Sequence, residues 1–353
     1  MPSPGMELRS PAPPASITLT PALPRFAQIE PIGRCNLACR MCTVNERGDE
    51  VAEMSLERFR SILDQLPDLE ELHLQGLGEP MLHPAFFDMV EFAARRGIRV
   101  SANSNLTLLT RARARRCADS GLASLSVSLD GASAEVYEAI RRKASFEKVI
   151  RNLDRLVEAR DTTGSSLAVR GVMVLMRSNL EELPALVRLL HSHRVDELLV
   201  QRLSSDLGHE DMPERYIPIR TYVENAELRP ADITRAEAVF GTARELASAT
   251  GFRLHLPRLR EVRAQVDVAH GDGPRCRWPW DQLYVTAAGE MLPCCMVATA
   301  DRATFGKVLP PSPAAGGLIE RWHGRAAQAF RAALASDSPP EVCKSCALYH
   351  GTF

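Results

Sequence analysis

The chain has almost no net charge, no long apolar run and no even set of cysteines that could pair off. Its 353 residues set 43 Lys and Arg against 44 Asp and Glu, a net charge of −1. Nucleic-acid enzymes usually present a basic face; no such excess exists overall, so no nucleic-acid partner is expected. The one local basic cluster, Arg111 to Arg116, reads as the solvated face of a helix. No apolar stretch approaches the roughly 20 residues that a membrane span needs. The N-terminus lacks the charged-then-apolar layout of a secretory signal. The expected location is therefore the cytoplasm, without a membrane partner. Nine cysteines, an odd number grouped at metal-like spacings, argue against a disulfide framework.

The chain does have apolar mass, at 45% hydrophobic residues, ample for one large domain and a smaller one. It also has Cys35, Cys39 and Cys42, which place three thiolates around one small volume. Soft thiolates suit iron–sulfur clusters or zinc. A four-iron cubane takes four ligands, so this run would leave one iron open to an exogenous ligand. On spacing alone a cluster, a structural zinc site with a remote fourth ligand and three ordinary cysteines all stay open.

Three motifs further along carry a resemblance. They are Gly76-Leu77-Gly78-Glu79-Pro80, Asn103-Ser104-Asn105 and Ser126-Val127-Ser128-Leu129-Asp130-Gly131. Together with CxxxCxxC after a first strand, they resemble the radical S-adenosylmethionine enzymes, in that family's order, over about residues 25–205. The resemblance implies a 4Fe–4S cluster on Cys35, Cys39 and Cys42 whose open iron binds S-adenosylmethionine. It implies reductive cleavage to a 5′-deoxyadenosyl radical that abstracts hydrogen from a substrate. It also implies contacts to S-adenosylmethionine from the backbone of Gly78 and Glu79 and from Asn103, Ser128 and Asp130, and an electron donor of flavodoxin or ferredoxin type. The family usually has an aromatic residue before the third cysteine. Met41 stands there in this chain, and its polarizable side chain is expected to pack on adenine.

Along the chain, residues 1–24 carry seven prolines and read as a disordered or loosely attached tail. From residue 26 strand and helix patterns alternate. Strands are expected at 26–32, 69–75, 99–103, 122–129, 167–175 and 197–203. The intervening helices include one from 133 to 161 with a break near 143–145. Six alternations imply parallel strands, and the resembled family points to an α/β fold, a partial (β/α)6 TIM-like barrel. Polar residues recur at period two: Gln28 and Glu30, His73 and Gln75, Ser101 and Asn103, Ser126 and Ser128. Alternate residues share one face of a sheet, so one face, the lumen, is wet or ligand-filled. Residues 208–230 read as a loop or linker, 232–250 as a helix and 252–256 as a further strand.

A second cysteine set follows in Cys276, Cys294, Cys343 and Cys346. Four thiolates close one cluster completely, and zinc fits them as well. A hairpin is expected at 282–292, and one helix at 318–335. The Cys276–Gly289–Cys294 spacing resembles the SPASM/twitch extension of the same enzymes, in its shorter twitch form. That implies a small C-terminal iron–sulfur domain with one auxiliary 4Fe–4S cluster. Cys295 is a candidate hydrogen donor, although quiet packing is the simpler reading; Cys117 reads as core. The expected division is 1–24 tail, 25–207 barrel, 208–257 connection and 258–353 auxiliary domain. Peptide-modifying members of the resembled family usually carry an N-terminal recognition domain and often two auxiliary clusters, and neither is expected here. The expected substrate is therefore a small polar metabolite such as a sugar, aminocyclitol or nucleoside, oxidised, decarboxylated or epimerised; the alternatives are a peptide substrate and a non-catalytic iron–sulfur electron carrier or scaffold.

Overall fold

The computed structural model of the protein describes residues 17–47, 51–203, 207, 212–259, 276–297, 299–308, 317–346 and 348–350. Its first half alternates as the patterning requires: β1 (Phe26–Ile29), α1 (Leu56–Asp64), β2 (Glu71–Leu74), α2 (Phe86–Arg95), β3 (Arg99–Ser104), α3 (Arg111–Asp119), β4 (Leu122–Ser128), α4 (Ala134–Ile140), α5 (Phe146–Thr163), β5 (Ala168–Leu175), α6 (Leu183–Ser192) and β6 (Glu197–Arg202). Ser55, Thr110, Ser133 and Ser145 start α1, α3, α4 and α5, each hydroxyl accepting from the backbone N–H three residues on. This satisfies a donor that the helix itself cannot. The expected break between α4 and α5 is present.

The remainder is α7 (Ile217–Ala226), α8 (Ile233–Thr250), β7 (Arg253–His255), α9 (Trp278–Asp281), β8 (Gln282–Val285), β9 (Glu290–Leu292), β10 (Gly306–Lys307), α10 (Leu318–Trp322), α11 (Arg325–Leu334) and α12 (Glu341–Lys344). One ten-stranded sheet runs β10-β9-β8-β1-β2-β3-β4-β5-β6-β7. Every pairing from β8 through β7 is parallel; β8–β9 and β9–β10 are antiparallel. The fold is the expected α/β partial barrel with a C-terminal cysteine-bearing unit, and the expected hairpin is β8–β9.

Four details differ from the sequence reading. Residues 217–226 form a helix where a loop or linker was expected; Pro218 sits in its first turn, where the missing N–H costs nothing. The further strand expected at 252–256 is present as β7, but it pairs in parallel with β6, so the sheet continues past residue 207 where the barrel was expected to end. The helix expected over 318–335 is two, α10 and α11, parted where Trp322 and His323 turn to meet backbone carbonyls of residues 21 and 22. Residues 17–24 are not a loose tail. Trp280 Nε1 donates to Thr18 O (2.7 Å), Trp322 Nε1 to Pro21 O (3.0 Å), and Arg331 Nη1 to Leu19 O (3.0 Å). Residues 1–16 lie outside the described residues.

The two faces of the sheet differ as the period-two pattern requires. Ala27, Ile29, Leu72, Leu74, Val100, Ala102, Leu125 and Val127 are buried in the main apolar core with the helices. Gln28, His73 and Ser101 lie side by side on the opposite face of β1, β2 and β3. Asn103, Ser126, Arg170, Glu197 and Arg253 continue that face across β3 to β7. The polar row is the lumen.

Candidate active site and second cysteine centre

β1 delivers the chain into the first cysteine loop, and Glu30 fastens it there. Fully buried Glu30 pairs with buried Arg47 (Nη1–Oε1 3.1 Å) and accepts from Leu77 N (2.9 Å) and Ala287 N (3.1 Å). One carboxylate thus ties together the cysteine loop, the Gly76–Pro80 loop and the β8–β9 turn. Backbone bonds from Ala38 N to Arg142 O and from Arg40 N to Ile140 O (both 3.1 Å) lay the loop against the end of α4. Cys35 Sγ accepts from Leu37 N (3.4 Å) and Asn105 Nδ2 (3.7 Å), and Cys39 Sγ from Arg141 Nη1 (3.8 Å).

Burial pushes all three thiols up, Cys42 to about 12; neighbouring cysteines add to this at Cys35 and Cys42, whereas at Cys39 the Arg141 guanidinium opposes it. Three half-buried thiols on one loop would need a cation to hold them as thiolates, which is what cluster iron supplies. Among the described residues no group of three or more Cys, His, Asp or Glu closes round a single ion. A cubane, with each thiolate on a different iron, spreads its ligands wider than that. The donor set fits a cluster.

The Gly76–Pro80 loop crosses the cysteine loop without space to spare. A Cβ on Gly78 would lie 1.9 Å from Ile32 O and 2.7 Å from Arg34 O; one on Gly76 would strike Glu30. Glu79 N donates to Arg34 O (2.9 Å) and Glu79 O accepts from Leu82 N (3.0 Å), so both backbone groups of Glu79 are engaged within the two loops. Its buried carboxylate accepts from Ser104 Oγ (2.7 Å), Asn105 N (2.7 Å) and Met81 N (3.2 Å), bonds that only partly offset the upward push of burial on its pKa.

Other expected contact residues fall in different settings. Asn103 and Ser128 face the lumen on β3 and β4. Asp130 is fully buried, with Oδ2 2.7 Å from Arg141 Nε and Oδ1 accepting from Val174 N (2.8 Å). It reaches the cysteine loop through Arg141. Met41 packs, half-buried, into the cluster of Met176, Tyr216 and Val223 that α7 covers, and Arg40 lies 4.8 Å over the ring of Tyr222. Arg141, Asn105 and Glu30 were not named as site residues from sequence. The Asn103–Asn105 motif and the period-two polarity at Glu30 were signals for two of them; Arg141 carried none beyond its place at the helix break. Deeper in the lumen, His73 bonds Ser101 Oγ through Nδ1 (2.8 Å) and Gln75 Oε1 through Nε2 (2.5 Å), and burial pushes its pKa down.

Cys276, Cys294, Cys343 and Cys346 line one cavity with Pro279, Val297, Phe330 and Leu334 among its walls. Tertiary structure thereby gathers residues 70 positions apart. Burial is the main cause raising Cys276 to about 11 and Cys294 well above its ordinary value, with nearby thiols adding to both. Apolar walls and four converging soft donors fit a cluster fully ligated by protein. Cys295 does not line this cavity; it packs with Trp278, Tyr284 and Leu292. Cys117 is buried in the main core, as expected.

Residues 29–190 match the model of the radical SAM superfamily, and residues 276–347 that of the SPASM iron–sulfur cluster-binding domain. The chain is 32% identical over 188 residues to the tungsten-containing aldehyde ferredoxin oxidoreductase cofactor-modifying protein of Pyrococcus furiosus, covering 51% of each chain. It is 31% identical over 150 residues to the mycofactocin maturase MftC of Mycolicibacterium smegmatis, covering 42% of this chain and 37% of that one. The chain thus spans about half or less of these relatives' length. Among solved structures, Streptococcus suis SuiB bound to precursor peptide SuiA superposes with a TM-score of 0.65 at 17% identity, over 93% of this chain and 71% of that one. anSMEcpe with bound AdoMet and the Cp18Cys peptide gives 0.62 at 17%, over 93% and 87%.

Proposed function

Since the chain belongs to the radical SAM superfamily and carries a SPASM iron–sulfur cluster-binding domain, we propose that it is an S-adenosylmethionine-dependent enzyme that modifies a peptide. The observation that carries the chemistry is the convergence of Cys35, Cys39 and Cys42 with the Gly76–Pro80 loop at the mouth of a parallel sheet with a polar lumen. Such mouths, at the carboxyl ends of strands, are where barrels of this kind hold their sites. Cys35, Cys39 and Cys42 would hold the first cluster; Cys276, Cys294, Cys343 and Cys346 would hold the auxiliary one. With S-adenosylmethionine bound, the first cluster supplies one-electron cleavage of a carbon–sulfur bond.

The chain's own residues do the rest by position. Gly78 allows close backbone approach to the cysteine loop, and the Glu79 carboxylate locks the Ser104–Asn105 backbone. Arg141, held by Asp130, keeps a cation beside Cys39. Gln28, Asn103 and Ser126 present hydrogen-bonding groups along the lumen.

A peptide is favoured over the small metabolite expected from sequence. SuiB and anSMEcpe share the fold and were solved with peptides, and a 31% identical relative is a maturase. The sheet, moreover, ends in free edges at β7 and β10 among the described residues. A laterally open lumen can admit part of a longer chain. The polar lumen alone favours a sugar or aminocyclitol, and that stands as the second reading. The test is anaerobic turnover with dithionite and S-adenosylmethionine against deuterated substrates. Deuterium passing into 5′-deoxyadenosine from a peptide pool is expected; transfer from aminocyclitols or sugars but from no peptide would reverse the choice.

A further inference from the structure

We propose that His73, with Ser101 as its relay, is the proton acceptor of the lumen and takes the proton that the substrate releases when it is oxidised. The proposal rests on the peptide-modifying activity proposed above and takes the modification to be an oxidation. His73 stands on β2, level in the sheet with Gln28 of β1 and Ser101 of β3. Its Nδ1 lies 2.8 Å from Ser101 Oγ and its Nε2 2.5 Å from Gln75 Oε1. A carboxamide oxygen only accepts, so Nε2 carries the ring proton and Nδ1 is the acceptor. The other acceptor near Ser101 Oγ, Leu72 O, is farther at 3.5 Å, so the hydroxyl proton points at Nδ1. The three side chains are thus a hydroxyl, a base and a group that orients the base. Gln28 Nε2 donates to Gln75 O (3.2 Å), and Gln75 is the residue that enters the Gly76–Pro80 loop.

Position and charge state both suit the role. In the middle of a ten-stranded sheet, Gln28, His73, Gln75, Ser101, Asn103 and Ser126 all keep partial exposure, while Ala27, Leu72, Leu74, Ala102 and Val127 between them are buried. A space on this face therefore admits solvent or a ligand below the loop. Burial pushes the His73 pKa down; the Gln75 bond opposes this and the Arg170 charge adds to it. The ring is neutral at neutral pH and ready to accept. Carboxylates buried around the lumen are already committed, Glu30 to Arg47, Glu79 to Ser104 and Asn105, Asp130 to Arg141 and Glu197 to Arg170. The acceptor nitrogen of His73 instead meets a hydroxyl, which passes protons on.

Once a hydrogen atom has left a substrate carbon for 5′-deoxyadenosine, a carbon radical remains. Its oxidation to a carbon–heteroatom double bond sends one electron to the oxidised 4Fe–4S centre assigned to Cys276, Cys294, Cys343 and Cys346. The same step breaks the neighbouring O–H, N–H or S–H bond. That proton passes to Ser101 Oγ as the Ser101 hydroxyl proton moves to His73 Nδ1, leaving an imidazolium that Gln75 still holds at Nε2. The competing account is that the three side chains only satisfy one another in a polar barrel floor.

The experiment compares the reconstituted full chain with His73→Gln and Ser101→Ala, each turned over with dithionite, S-adenosylmethionine and the deuterated peptide pool. Deuterium in 5′-deoxyadenosine counts hydrogen abstraction. Peptide that has lost one deuterium and one proton counts completed oxidation. In His73→Gln the ratio of oxidation to abstraction is expected to fall about a hundredfold, the usual worth of a positioned base, and a carbon-radical resonance signal should build up. Ser101→Ala should lower the same ratio. A ratio equal to the parent's in His73→Gln, even with both counts reduced together, would overturn the proposal, because a residue that only supports the barrel slows both steps alike. Should His73→Gln lose its circular dichroism or its cluster spectra, Ser101→Ala decides: a lowered ratio upholds the relay and a parental one overturns it. A parent that takes deuterium from the peptides yet leaves none of them oxidised would remove the oxidation and the proposal with it. A parent that takes none would instead remove the peptide reading beneath it.

Discussion

At the scale of single residues, the site depends on two kinds of constraint, steric and electrostatic. Gly78 is the steric one. Ala in its place would put a methyl group 1.9 Å from the carbonyl oxygen of Ile32, so the two loops must part. Gly78→Ala is expected to keep the first cluster's spectrum and lose 5′-deoxyadenosine formation; normal formation would show that the close approach is dispensable. The electrostatic constraint is the Asp130–Arg141 pair, which joins the motif of β4 to Cys39. Removing one member of a buried pair leaves an uncompensated charge and costs about 3–5 kcal/mol. Asp130→Ala should therefore lower the denaturant midpoint of the cluster-free protein sharply. A midpoint within error of the parent would mean that Arg141 finds water or another anion.

Among elements, the N-terminal strap changes the picture most. Four side chains of the C-terminal unit, Trp280, Trp322, His323 and Arg331, bond to backbone carbonyls of residues 18–22. Ile17 packs with the apolar cluster that includes Cys343 and Cys346. Deleting residues 1–24 strips those donors of their acceptors and uncovers that cluster. The expected result is a lower melting temperature and faster loss of the auxiliary cluster in air, with the first cluster's signal retained. Equal air stability would reduce the strap to a passive overhang. α7 carries a similar lesson. Its prolines suggested a connector, but a proline in the first turn is compatible with a helix, and the apolar face of α7 then covers Met41.

Over the whole molecule, the C-terminal unit is a continuation of the barrel sheet. β8 pairs with β1 in parallel, and Glu30 bonds the β8–β9 turn to the first site. Losing the second centre therefore need not silence the first. Cys276→Ala should still cleave S-adenosylmethionine while making little or no oxidised product, because an electron sink is needed only after hydrogen abstraction. The measurement is 5′-deoxyadenosine against product, in protein whose circular dichroism is intact. Unchanged product yield would exclude an electron-accepting role; a joint fall in both activities would mean that the cluster serves only as a staple.

Sequence by itself determined what is local and periodic. The caps Ser55, Thr110, Ser133 and Ser145 are local in this sense, because a cap acts on its own first turn. The alternation Ser101–Asn103 and Ser126–Ser128 announced the lumen because strand side chains switch faces at every residue. The cysteine spacings announced two soft-donor sets. Tertiary structure alone decided what depends on partners far apart in the chain. Glu30 meets Ala287, Asp130 meets Arg141 by way of the helix break, and Leu19 meets Arg331, 312 residues away. No periodicity encodes such pairs, since the free energy that fixes them is the desolvation of whichever charges and carbonyls the packed sheet and helices enclose.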